Sequence, residues 1–174
     1  MVTVTAETSW SSTVDDAWAA LGRRDAYLGF PGIAPRGRRG GRTFDHALDL
    51  PIVDPQHQAS TLTIGRAGVQ GRRERRFALS GELVRISGLW RLEPIDAGVR
   101  VQLSLEYDIA APLKTLAVDT LRSRSPLPIR TDADAILSRA VDEFFETRFA
   151  EQAAAYCERL RVALDARAAW TRRA

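Results

Sequence analysis

The chain has 174 residues, 45% hydrophobic and 27% charged, a composition that excludes a disordered polymer and suits one domain over 1–174. Its net charge of +3 rests on 25 basic against 22 acidic residues, with Lys114 the only lysine, and the pI is about 9.6. Arginine keeps its proton, so the pI is high without a strongly cationic surface, which argues against a nucleic-acid binder. Cys157 is the only cysteine, which rules out an intrachain disulfide. No apolar run approaches the roughly 20 residues of a membrane span, and the first residues lack a basic stretch followed by an apolar one. The expected location is cytoplasmic.

Residues 2–7 alternate Val2, Val4 and Ala6 against Thr3, Thr5 and Glu7, the period of a strand. Thr13 and Asp16 have capping-box spacing, and Val14, Ala17, Trp18 and Leu21 fall on one face of a short helix that Gly22 ends. A second helical turn over 25–30 stops at Pro31, and glycine and proline mark 35–42 as a loop. Strand-like runs follow: Phe44, His46, Leu48 and Leu50; Leu62 and Ile64; 72–79, up to a turn at Ser80-Gly81; Val84 to Leu92; and Val99 to Ile109. Each has one apolar and one polar face, as antiparallel strands do. Pro112 opens a short helix carrying Leu113, Leu116, Ala117 and Leu121, which 125–128 break. From the capping box at Thr131 and Asp134 to about Ala166 there is neither Pro nor Gly, and apolar residues recur in steps of three and four. The spacing predicts a helix roughly 50 Å long.

The fold expected is α+β: a helix grip, with an antiparallel β-sheet of about six to seven strands curved around a long C-terminal helix and two short helices after the first strand. Only that last helix is long enough to cover the apolar face of the meander, and the gap where helix and sheet diverge is a natural cavity. Three stretches carry a family resemblance: the opening strand with Thr13-Val-Asp-Asp-Ala-Trp-Ala-Ala-Leu21, the run Gly88-Leu-Trp-Arg-Leu-Glu-Pro94 leading through Gly98 into Val99-Arg-Val-Gln-Leu103, and the aromatic-rich terminal helix. In these the chain resembles the START-like (SRPBCC) superfamily, and within it the polyketide cyclase/dehydrase-type proteins. The resemblance implies a cavity for an apolar small molecule (lipid, isoprenoid or polyketide-like) and no cofactor. It does not choose between a carrier and a cofactor-independent enzyme.

Alternation puts His46 between Phe44 and Leu48 on the apolar face, where an imidazole serves as acid, base or ligand anchor; the competing reading is a core histidine bonded to the backbone. Tyr107 shares a face with Leu103 and Leu105, so its phenol is the second candidate for catalysis, donating to a developing enolate. Arg73 and Arg75 continue the face of Phe77 and Leu79; if that register holds, one of them, with Arg75 as the ligand-site candidate, enters the cavity and pairs with a ligand anion, whereas the favoured reading is that a one-residue slip or bulge turns both to solvent. Trp18 and Trp90 are read as core or cavity wall, and Phe145 and Phe149 as the helix's contribution to the ligand site. Two histidines and one cysteine without close spacing give no zinc site, and neither a phosphate-binding glycine loop nor a nucleophile elbow is present. Arg36, Arg38, Arg39 and Arg42 with Arg72, Arg73, Arg75 and Arg76 are the one candidate basic patch. The strand edges, the 110–130 insert and the tail are possible homodimer contacts, and the sequence does not choose among them.

Overall fold

The computed structural model describes residues 1–28, 30, 33–35, 42–48, 56–65, 73–124 and 133–171. Seven strands form one sheet: β1 (Val2–Trp10), β2 (Ile33–Pro35), β3 (Thr43–Leu48), β4 (Gln56–Ile64), β5 (Arg73–Ser80), β6 (Val84–Ile95) and β7 (Gly98–Ile109). The order across the sheet is β1-β7-β6-β5-β4-β3-β2, and every neighbouring pair is antiparallel. Apart from β1, which closes onto β7, this is a simple meander, because each strand pairs with the next one in the chain. Strand β2 was not expected: it starts between the helical turn expected over 25–30 and the loop expected over 35–42, and is too short for any alternation to show.

Between β1 and β2 lie α1 (Val14–Leu21) and α2 (Arg24–Tyr27). The expected cap is present: the Thr13 hydroxyl oxygen accepts from the Asp16 backbone N–H at 3.1 Å, and Gly22 follows the last turn. After β7 come α3 (Ala111–Arg124) and α4 (Ala133–Thr171). Helix α4 has 39 residues, about 58 Å at 1.5 Å per residue. Lys114 on α3 pairs with Asp142 on α4 at 2.5 Å, so α3 packs against the terminal helix. The second capping box and the break at 125–128 lie outside the described residues. Among the described residues, no helix is long and apolar enough to cross a membrane.

The core lies between the inner face of the sheet and one stripe of α4: Val141, Phe145, Phe149, Ala153, Tyr156, Cys157 and Leu160 are all buried. Alternation along the strands holds almost without exception, with Val99, Val101, Leu103, Leu105, Tyr107 and Ile109 inward on β7. Aromatic rings fill the space between. Trp90, at the middle of the sheet, lies 5.9 Å from Tyr156, 6.2 Å from Phe77 and 6.3 Å from Trp10, measured between ring centres. A second stack, Tyr107 on Phe149 at 3.9 Å, joins β7 to the helix. Such ring pairs add roughly 0.5–1.5 kcal/mol each beyond the area they bury.

Gly88 is what lets Phe77 lie down. The two residues are cross-strand partners on the inner face, and a Cβ on Gly88 would occupy the space of the Phe77 ring. Gly88→Val is therefore expected to force the ring aside and destabilise the protein by about 1–3 kcal/mol, read from urea unfolding. Cys157, buried beneath α4, has its thiol pushed up to about 12 by that burial. It stays protonated at neutral pH, so Ellman's reagent at pH 8 is expected to find no thiol in the native protein and one per chain after unfolding.

Candidate functional site

Of the polar residues that the sheet buries, three cluster, apart from Arg75 on β5. His46 on β3 and Gln58 and Ser60 on β4 share the inner face and meet there. The Gln58 amide oxygen accepts from the backbone N–H groups of Leu83 at 2.8 Å and Val84 at 3.1 Å. Its amide nitrogen donates to the Val84 carbonyl at 3.0 Å. Gln58 thus ties β4 to the β5–β6 turn, and Gly81 leaves the space the amide occupies.

That anchoring fixes the chemistry of His46. With the oxygen of Gln58 committed to two backbone donors, only its NH2 can face the His46 Nδ1, 3.3 Å away. The Ser60 hydroxyl lies 3.4 Å from the same nitrogen. Nδ1 therefore accepts, and the proton of the neutral ring sits on Nε2. Gln58 and Ser60 were missed in the sequence because the strand was read from Thr61 onward. Their parity with Leu62 and Ile64 was the signal that could have found them.

His46 lines a cavity of about 430 Å³, within the roughly 300–1,000 Å³ of small-molecule sites. Its floor comes from Ala47 and Leu48 on β3, Val84 and Ile86 on β6, and Tyr107 on β7. Phe30 closes one end, edge-on to both His46 and Tyr156, and Phe149 faces in from α4. The Tyr107 side chain is 2% exposed, and its hydroxyl makes no hydrogen bond among the described residues. Burial raises its pKa far above the usual tyrosine value, so the phenol stays protonated and remains a donor.

Of the candidates read from sequence, His46, Tyr107 and Phe149 come together at this cavity; Trp18, Arg75, Trp90 and Phe145 do not line it. Trp90 and Phe145 are core. Arg75 does face inward, opposite Trp90, but at the other end of the sheet. Its guanidinium lies 4.1 Å from the centre of the Trp18 ring and donates to the Trp18 carbonyl at 3.3 Å, at the C-terminal end of α1. A ring contact worth about 2 kcal/mol when desolvated and a helix end worth up to about 2 kcal/mol together approach the several kcal/mol that burying a cation costs. Arg75 reads as a strut between α1 and the sheet. Arg73 stays exposed and pairs with Asp15 of α1 at 2.7 Å. Arg36, Arg38, Arg39 and Arg72 lie outside the described residues.

Replacing Gln58 by Leu strips the Leu83 and Val84 amides of their acceptor, at about 1–3 kcal/mol for each group left unsatisfied. It also removes the Gln58 donor that helps hold the His46 tautomer. Nitrogen-15 spectra of the wild type are expected to show Nε2 protonated, and those of Gln58→Leu a mixture of tautomers.

No family model and no curated protein matches the chain. Solved structures do resemble it. TTHA0849 from Thermus thermophilus is 15% identical, with a TM-score of 0.53 over 92% of this chain and 98% of that one. A conserved protein from Geobacillus kaustophilus is 11% identical, with a TM-score of 0.48 over 82% and 96%. A START superfamily protein from Mycobacterium smegmatis is 9% identical, with a TM-score of 0.41 over 87% and 96%. At such identities likeness speaks for the fold alone, and the fold of this chain is a helix grip, one antiparallel sheet with a long C-terminal helix along its inner face.

Proposed function

We propose that the protein binds a small apolar molecule bearing an oxygen acceptor, lipid-, isoprenoid- or polyketide-like, in the cavity between the sheet and α4. The observation that carries this reading is the protonated Tyr107 hydroxyl, without a partner among the described residues, at a cavity whose lining includes the apolar side chains of Phe30, Leu48, Val84, Ile86 and Phe149. Apolar walls supply affinity in proportion to the area they cover, and one buried donor supplies orientation.

A second reading is supported by the pairing of Tyr107 with His46 at the same cavity. A phenol that donates and an imidazole with a fixed tautomer are the parts a cofactor-independent cyclisation or dehydration needs: one to stabilise an enolate, one to move a proton. A carrier needs only the first.

Native mass spectrometry of the purified protein is expected to show a stoichiometric adduct lost on denaturation, and Tyr107→Phe to lower its occupancy while unfolding at a temperature close to that of the wild type. An adduct-free protein that also takes up no apolar probe would overturn the binding proposal. Turnover of a candidate substrate that His46→Ala abolishes, with binding retained, would favour the enzyme.

A further inference from the structure

The cavity is short, and a pair of rings ends it. On α4 its lining starts at Arg148 and Phe149. The buried stripe of the helix continues beyond that point as Phe145 and Val141, one and two turns before Phe149, and neither reaches the cavity. On β7 Tyr107 lines it, whereas Leu105 and Ile109 on the same inner face do not. The two boundary residues meet. The Phe149 ring lies on the Tyr107 ring at 3.9 Å between centres, with 2° between their planes. Phe145 backs Phe149 at 5.8 Å and 19°, so the wall is more than one ring deep.

A second ring wall faces it. Phe30 also lines the cavity, edge-on to Tyr156 at 5.1 Å. Tyr156 comes seven positions after Phe149, about 10 Å along the helix axis. The volume between, about 430 Å³, stands low in the roughly 300–1,000 Å³ range of small-molecule sites. Two or three fused rings, or a short isoprenoid, span such a gap. An extended long acyl chain overruns it and leaves carbons in water, which forfeits affinity by about tenfold for every two of them.

Resting on the binding proposal above, we infer that Phe149, held flat on Tyr107, is the end wall that sets ligand length, and that the ligand is a compact ring-bearing or short isoprenoid molecule rather than a long-chain lipid. Without the Phe149 ring the next wall is Phe145, four positions and about 6 Å further along the axis.

Two neutral fluorescent probes of nearly equal size and different length test this. N-phenyl-1-naphthylamine is compact, and 1,6-diphenyl-1,3,5-hexatriene is a rod. The wild type is expected to bind the compact amine at least about tenfold more tightly than the rod. Phe149→Ala should narrow that gap by strengthening the rod, and Phe149→Leu, which keeps a buried apolar side chain should the alanine variant fail to fold, should narrow it less. Phe145→Leu disturbs the same core without touching the cavity and should leave the gap as it is. Equal or tighter binding of the rod to the wild type would overturn the inference and leave the binding proposal standing. So would a gap that survives both Phe149 variants, or one that Phe145→Leu closes equally well. If the wild type takes up neither probe, the binding proposal fails with it.

Discussion

Everything in this molecule hangs on one helix covering one face of one sheet. Strand alternation puts Val101, Leu103, Leu105, Ile86, Trp90 and Phe77 on a single surface, and leaving that surface wet would cost about 25 cal/mol per Å². Helix α4 is long enough to lie along it, and rings supply the contact at the sheet centre while Val141, Ala153 and Leu160 add aliphatic cover. Trp90 is the hub: Trp10, Phe77 and Tyr156 all lie within 6.3 Å of it, centre to centre. Tyr156 then reaches past the core, its hydroxyl donating to the Ala26 carbonyl at 3.1 Å, so the same side chain pins the short helices to the long one.

A straight helix cannot follow a twisted seven-stranded sheet to both ends. Close packing is achieved near β1, β7 and the centre of β6, where Val2, Val4, Val99 and Val101 are buried. Toward β3 and β4 the inner face instead carries His46, Gln58 and Ser60, residues that would be a poor surface for a hydrophobic helix to sit on. Where the cover lifts away, the polar groups are satisfied by one another and by the backbone of Leu83 and Val84, and the cavity opens beside them. Polar inner face and cavity are two sides of one arrangement.

Much of the architecture was legible because it is written in periods. The twelve residues of β7 alternate without a break, the Thr13 cap is local, and α4 lacks any breaker over its described length. What resisted reading depended on partners distant in sequence. Strand β2 exists by pairing with β3, not by any pattern of its own three residues. Arg75 sits on the inward face, as its parity with Phe77 demanded, yet nothing local told that Trp18 and the end of α1 would take up its guanidinium. His46 and Tyr107 could each be assigned a face but not a common cavity, because 61 positions separate them and the seven-stranded order brings them together only across β4, β5 and β6.

The polar flank of α4 is the subtlest case of this kind. In the sequence, Arg148, Glu151, Gln152 and Arg159 look like the solvated side of an amphipathic helix, and on most helices that is all they would be. Here the stripe stands one step round from Phe149 and Tyr156, where helix and sheet part, so these residues also line the cavity.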